Sequence, residues 1–144
     1  MYYIIINPHS CTGKGIHIWH QIKTELDKRS IPCKSCFTAH PGHGKELASR
    51  IFSENPGTLK LIIVGGDGTV NEVVNGIPDM ERARIGYIPA GSGNDLGRGL
   101  GLPKDPILNL DRILYSTDVR LMDVGLASDP ENNLHKLFLV SSGL

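Results

Sequence analysis

Residues 62 to 72, Ile62-Ile63-Val64-Gly65-Gly66-Asp67-Gly68-Thr69-Val70-Asn71-Glu72, place three glycines around one aspartate between an apolar run and a helix-period segment. Glycine lacks Cβ and reaches φ > 0, so backbone N–H groups in such a turn can face inward and approach an anion closely. A carboxylate in that setting is repelled by phosphate unless a divalent cation bridges the two, so Asp67 implies nucleotide plus Mg²⁺. The pattern reads as a kinase turn. Part of it also serves the helix alone. Thr69 and Glu72 have capping-box spacing, and Val70, Val73, Val74 and Ile77 form one apolar helical face. Glu72 therefore reads as a cap, while Gly65, Gly66 and Asp67 are left for the ligand.

Two further loops have related chemistry. Pro89-Ala90-Gly91-Ser92-Gly93-Asn94-Asp95-Leu96-Gly97-Arg98 again joins an apolar run to a helical segment, and its amides can face the same ligand from a neighbouring strand end. It is not a dinucleotide fingerprint, because the third glycine stands at 97 rather than 96. Its plainer reading makes Asn94 an N-cap and Asp95 a first-turn acid that offsets the helix dipole. The loop Asn7-Pro8-His9-Ser10-Cys11-Thr12-Gly13-Lys14-Gly15 follows the first apolar run and lacks the glycine spacing of a Walker loop, so the pattern assigns Lys14 no phosphate role.

Short apolar runs alternating with helix-period segments predict βαβ units and a mostly parallel sheet, an α/β fold. Strands are expected at Tyr2 to Ile6, about Cys33 to Thr38, Leu59 to Val64 and Ile85 to Ile88. Helices are expected on the stripe Trp19, Ile22 and Leu26, on Leu47, Ala48, Ile51 and Phe52, from about Asn94, and after Pro106. Val119 to Leu126 and Leu137 to Val140 read as an antiparallel hairpin about Asp129-Pro130-Glu131-Asn132-Asn133. The 144 residues suit one domain, and Ser141-Ser142-Gly143-Leu144 looks like a point at which a second domain should begin.

Fifteen basic and fifteen acidic side chains cancel, so no broad face attracts nucleic acid or an anionic membrane. The apolar start, Met1 to Ile6, is too short for a signal peptide or a membrane span, and three cysteines make no disulfide framework. A cytoplasmic location is expected. Cys33-x-x-Cys36-x-x-x-His40-x-x-His43 offers four zinc-competent groups, but on a strand Cys33 and Cys36 point to opposite faces and cannot chelate one ion.

Taken together, Asn7-Pro8-x-Ser10, the run from Gly65 through Asn71-Glu72 to Asn75-Gly76, and Gly91-x-Gly93-Asn94-Asp95-Leu96-Gly97-Arg98 resemble the catalytic domain shared by diacylglycerol kinases, sphingosine and ceramide kinases and bacterial lipid kinases. A Gly-Gly-Asp-Gly-Thr run alone is shared with NAD kinases. Asn71-Glu72 and the Asn94-Asp95 pair favour the lipid branch, Asp95 the diacylglycerol side of it. The resemblance implies an α/β, three-layer Rossmann-like domain that transfers the γ-phosphoryl group of ATP, with Mg²⁺, to a lipid hydroxyl such as that of diacylglycerol. By position, Gly65, Gly66, Asp67, Gly68 and Thr69 would hold phosphates and metal. Asn7, Thr38, Gly91, Ser92, Asn94 and Asp95 would line the same crevice, and Asp123 would be a second metal-side acid near the interdomain region.

The resemblance also places the general base and lipid pocket in a β-rich domain after residue 144, where transient membrane contact would occur, and it is compatible with a homodimer. Cys11 departs from a glycine common in the family, and Ser141 or Ser142 from an asparagine. Two other readings stay open: a kinase of a soluble substrate, of the NAD kinase type, and a nucleotide-binding module without catalysis.

Overall fold

The computed structural model describes residues 1–117 and 119–139. Strands β1 (Tyr2–Ile6), β2 (Cys33–Phe37), β3 (Leu59–Gly65) and β4 (Ala83–Pro89) form one parallel sheet in the order β2-β1-β3-β4. Helices α1 (Ser10–Lys28), α2 (His43–Glu54) and α3 (Asp67–Gly76) occupy its connections, a 3₁₀ turn at Met80–Arg82 precedes β4, and α4 (Asp95–Gly99) and α5 (Pro106–Tyr115) follow it. A separate antiparallel pair, β5 (Gly125–Asp129) and β6 (Leu134–Phe138), closes the described chain.

The layers follow from the two-residue period of a strand. Tyr3, Ile5, Leu61 and Ile63 point to one face, where Leu47, Ala48, Ile51 and Phe52 of α2 and Val70, Val73 and Val74 of α3 meet them. Ile4, Ile6, Ile62 and Val64 point to the other, against Ile18, Trp19, Ile22 and Leu26 of α1 and Leu110 of α5. Strands covered on both faces read as unbroken apolar runs, as β1 and β3 do. This is the α/β arrangement the patterning predicts, in the three-layer form the resemblance implies.

The chain passes from β1 outward to β2 and then returns to β3 on the other side of β1. The order of connection therefore reverses between β1 and β3, and the carboxyl ends of these two strands border the crevice where open α/β sheets bind ligands. Asn7, the first residue past β1, donates its N–H to the Val64 carbonyl of β3 at 2.9 Å and so ties that switch point together.

The terminal hairpin differs in its strand limits from the expectation, and its second strand begins at Leu134 rather than Leu137. The turn lies about residues 130–133 as read, but the first strand begins at Gly125 rather than Val119. Gly125 pairs with Phe138, the last residue of β6, so residues before 125 have no partner strand among those described. The pair docks on α3 through Asn75, whose side chain donates to the Leu137 carbonyl and accepts from the Leu137 N–H, both at 2.8 Å. Val140, the end of the expected second strand, and Ser141 and Ser142 lie outside the described residues.

Helices α2 and α3 cross closely because Gly76 has no side chain. A Cβ there would lie 2.1 Å from the Lys45 carbonyl oxygen, whereas one on Gly99 would meet nothing within 4 Å. Gly76→Ala should lower stability by about 1–3 kcal/mol, the usual cost of overpacking. Gly99→Ala should be neutral or stabilising by up to about 1 kcal/mol through helix propensity. Paired urea melts check both.

Candidate functional site

Gly65 ends β3, and its carbonyl accepts the Ala90 N–H at 2.7 Å and the buried Tyr87 hydroxyl at 3.1 Å. A Cβ on Gly65 would lie 2.7 Å from the Thr69 side chain, and one on Gly91 would lie 2.6 Å from the Gly66 Cα. None of Gly65, Gly66, Gly68, Gly91 or Gly93 adopts the left-handed conformation. The expectation that these glycines supply φ > 0 is therefore corrected. Gly66 and Gly91 are small because the two turns stand backbone against backbone, and Gly65 because the Thr69 side chain fills the place of a Cβ. Gly68 has nothing within 4 Å of where its Cβ would be, so the first turn of α3 is open on that side.

Asp67 joins the turns. Its carboxylate accepts the N–H of Asp95 at 2.8 Å and that of Leu96 at 3.3 Å, which caps α4 from a different element. Asn94, read from sequence as the cap, has no such role. It lies in the left-handed region at φ 54°, and its side chain closes the turn on itself, accepting from the Gly91 N–H at 2.9 Å and donating to the Gly91 carbonyl at 2.8 Å. Asp95 is exposed and ion-paired with Arg98, whose guanidinium also donates to the Gly93 carbonyl at 2.7 Å. Ser92 is exposed at the tip.

The capping-box reading is corrected in the same way. Helix α3 begins at Asp67 with Gly66 as its cap residue, so Thr69 is already helical. The buried Thr69 hydroxyl instead accepts from the Asn7 side chain at 3.1 Å. Glu72 does cap a helix, but the helix is α2: its carboxylate oxygens accept the Gly42 N–H at 2.9 Å and the Gly44 N–H at 3.1 Å. Helix α2 has no side-chain cap of its own.

Asn7, Thr38 and Glu72, with His9, Ala39, His40 and Pro41, line a cavity of about 270 Å³ beside the β1–β3 switch point. Thr38 is buried there, its N–H bonded to the Ile6 carbonyl at 2.8 Å. The Asn7–Thr69 hydrogen bond connects this cavity to the glycine turns. The expected residues thus gather at the carboxyl ends of four parallel strands, with one exception. Asp123 is exposed on the segment before β5 and makes no hydrogen bond or ion pair with the described residues.

Near the start of α1, Cys11, Thr12 and Gly13 are all left-handed, with φ of 46°, 55° and 93°, which interrupts the helix there. Cys11 therefore adopts the backbone that favours glycine, although it is not one. Tyr87, which sequence reasoning passed over as a strand residue, is the support under Gly65. Burial pushes its phenol well above the usual range, and the nearby Asp67 charge adds to that, so it stays a neutral donor.

Cys33 packs against one core layer and Cys36 against the other, as strand geometry requires. His40, His43 and Glu46 come within 4.8 Å of one another, but the two imidazoles stack at 4.6 Å with planes 13° apart, and His43 Nδ1 accepts the Ala39 N–H. Lone pairs in near-parallel ring planes do not converge on one ion.

The sequence profile described as the diacylglycerol kinase catalytic domain matches residues 1–127. The chain is 42% identical over 129 residues to a diacylglycerol kinase of Bacillus subtilis (strain 168), covering 85% of this chain and 40% of the relative. It is 36% identical over 141 residues to a diacylglycerol kinase of Staphylococcus aureus (strain MRSA252), covering 97% of this chain and 42% of the relative. The crystal structure of a diacylglycerol kinase from Bacillus anthracis str. Sterne superposes with a TM-score of 0.69 at 27% identity, over 85% of this chain and 44% of that one. The chain thus spans about two fifths of the length of these relatives.

Two outcomes are expected. Glu72→Ala strips the cap from α2 and should cost about 1–2 kcal/mol, while Glu72→Gln, which keeps one acceptor, should cost less; thermal melts of both decide this. Protein purified without chelator should contain no stoichiometric zinc by elemental analysis, and zinc lost on Cys33→Ser with Cys36→Ser would contradict the two-faced placement of β2.

Proposed function

The chain belongs to the diacylglycerol kinase catalytic domain family, and on that premise we propose that it is the nucleotide-binding part of an ATP-dependent lipid kinase acting on a lipid hydroxyl such as that of diacylglycerol. The observation that carries this reading is the Asp67 carboxylate, held across two abutting glycine turns at the carboxyl ends of β3 and β4.

A hard divalent cation fits that carboxylate. Each Asp67 oxygen accepts one amide hydrogen, which leaves each with a further lone pair. Bound there, Mg²⁺ would neutralise charge on the transferring phosphoryl group. The residues of this chain do the positioning. Amides at Gly68 and Thr69, on the open side of the first α3 turn, would face phosphate oxygens where the helix dipole favours them. Asn7 and Thr38 would shape the adjoining cavity for the rest of the nucleotide. Tyr87 and Ala90 fix the Gly65 carbonyl, so the turn does not reorganise when charge develops.

The acids nearest the turns already have partners. Asp67 and Glu72 each cap a helix, and Asp95 is paired with Arg98. The proton of the lipid hydroxyl would therefore pass to a base in the remaining part of a longer protein, which would also hold the lipid and meet the membrane. No helix among the described residues is long and apolar enough to cross a membrane.

Titration calorimetry with Mg-ADP tests the proposed reading. Asp67→Asn should weaken Mg²⁺-dependent binding by about tenfold or more, since the amide loses the charge that holds a hard cation. Stability should fall by about 1 kcal/mol, because one of the two α4 amides loses its acceptor. Unchanged Mg-ADP affinity would remove Asp67 from the metal. The chain incubated with labelled ATP, Mg²⁺ and diacylglycerol in mixed micelles should bind nucleotide and form no phospholipid, and turnover would place the base among its own residues.

A further inference from the structure

We propose that the cavity between α2, α3 and β6 is a second ligand site, adjoining the nucleotide crevice at the start of α3, and that it takes a phosphate ester with a neighbouring hydroxyl group. Its volume is about 550 Å³, and its floor is the polar stripe Gly68, Asn71, Glu72 and Asn75 of α3. These residues fall at i, i+3, i+4 and i+7, a continuous helical ridge opposite the apolar face made by Val70, Val73 and Val74. Gly42 and Lys45 of α2 form one wall, and Leu134, His135 and Lys136 of β6 the other.

The hydrogen-bonding capacity of that floor is unevenly spent. Both Glu72 oxygens are taken by the Gly42 and Gly44 amides, and both ends of the Asn75 amide are taken by Leu137. Asn71 Oδ1 is buried and has no hydrogen-bond partner among the described residues. It is an acceptor, so it calls for a donor such as a ligand hydroxyl. On the walls, neither the Lys45 nor the Lys136 ammonium makes an ion pair or hydrogen bond with the described residues, and His135 uses only Nδ1, toward the Ser128 hydroxyl at 3.1 Å. Two uncompensated ammonium groups and one orphaned acceptor lining the same cavity suit an anionic oxygen and a hydroxyl on the same small molecule. Leu134 is the one large apolar side chain of the lining, so an acyl chain has no surface to bury there. Glu72 lines both cavities with both oxygens committed, and Gly68, whose amide is proposed to face the nucleotide phosphates, lines this one, so the two sites meet at the first turn of α3.

A free glycerol phosphate and a phospholipid headgroup share this chemistry. Calorimetry with sn-glycerol 3-phosphate, inorganic phosphate and glycerol as separate probes, and sedimentation with phosphatidylcholine vesicles with and without phosphatidylglycerol, distinguish the two sources. The structure predicts that glycerol 3-phosphate or the anionic vesicle binds, that Lys45→Gln with Lys136→Gln weakens this by about tenfold or more, and that Mg-ADP affinity is unchanged in the same variant. Asn71→Ala should abolish the preference for glycerol 3-phosphate over phosphate while the melting temperature holds. Binding of the soluble ester alone assigns the site to a metabolite, and binding of the vesicle alone assigns it to a headgroup. Binding of neither probe, affinity unaffected by the double substitution, a preference that survives Asn71→Ala, or parallel loss of Mg-ADP binding each overturns the proposal. If Mg-ADP does not bind the unsubstituted chain at all, the kinase reading fails and this test still stands.

Discussion

The close approach of two backbones, Gly66 against Gly91, is the contact on which the rest of the site depends. Adjacent parallel strands lie about 4.8 Å apart, and turns leaving both ends normally carry side chains that push them away from each other. Here no Cβ intervenes, so the hydrogen bond from Ala90 to Gly65 extends the β3–β4 pairing beyond the strands and brings the start of α4 within reach of Asp67. A methyl group on Gly91 would force this spacing open, and the Asp67 carboxylate would then be left without its amide partners. An acid at the end of β3 would be a solvated surface charge without this contact. With it, the carboxylate is held in one orientation.

Helix α3 shows a related economy in its polar residues. Its apolar face lies on the sheet, while Asp67, Glu72 and Asn75 from the rest of its surface satisfy backbone groups of α4, α2 and β6 in turn. The first two act as caps supplied from outside the capped helix, each placing negative charge at a positive helix end. Three neighbouring elements are thus aligned on one helix by side-chain-to-backbone bonds, and the glycine crossing with α2 at Gly76 lets them approach. The family's characteristic run of residues after the glycine turn has, on this evidence, a structural role as well as any role toward nucleotide.

The α/β class, the parallel sheet and the residues at its core were legible because burial on both faces leaves continuous apolar strands and a 3.6-residue stripe on each helix. Tyr2–Ile6, Leu59–Gly65 and the stripe Trp19, Ile22 and Leu26 lie where periodicity puts them. The strand limits near residue 119 were not legible, because an extended, moderately apolar segment reads the same whether or not a partner strand lies beside it. The gathering of Asn7, Thr38, Gly65 and Gly91 at one end of the sheet follows from strand direction alone, since each ends a parallel strand or follows one within two residues.

What the sequence determined by itself was therefore local: which segments are strands and helices, that three glycine-bearing turns follow strands, and through their motifs the family. Tertiary structure decided the partners. Glu72 stands three residues from Thr69 and reads as its capping partner, yet it bonds Gly42 and Gly44, thirty and twenty-eight residues away. Asn94 stands at the head of α4 and reads as its cap, yet the cap is Asp67. Gly65, Gly66 and Gly91, read as flexible, proved to be spacers. In each case the residue type announces a capacity, a carboxylate that accepts or a missing Cβ that makes room. Which group uses that capacity depends on distances through space, and only packing of the helices on the sheet sets those.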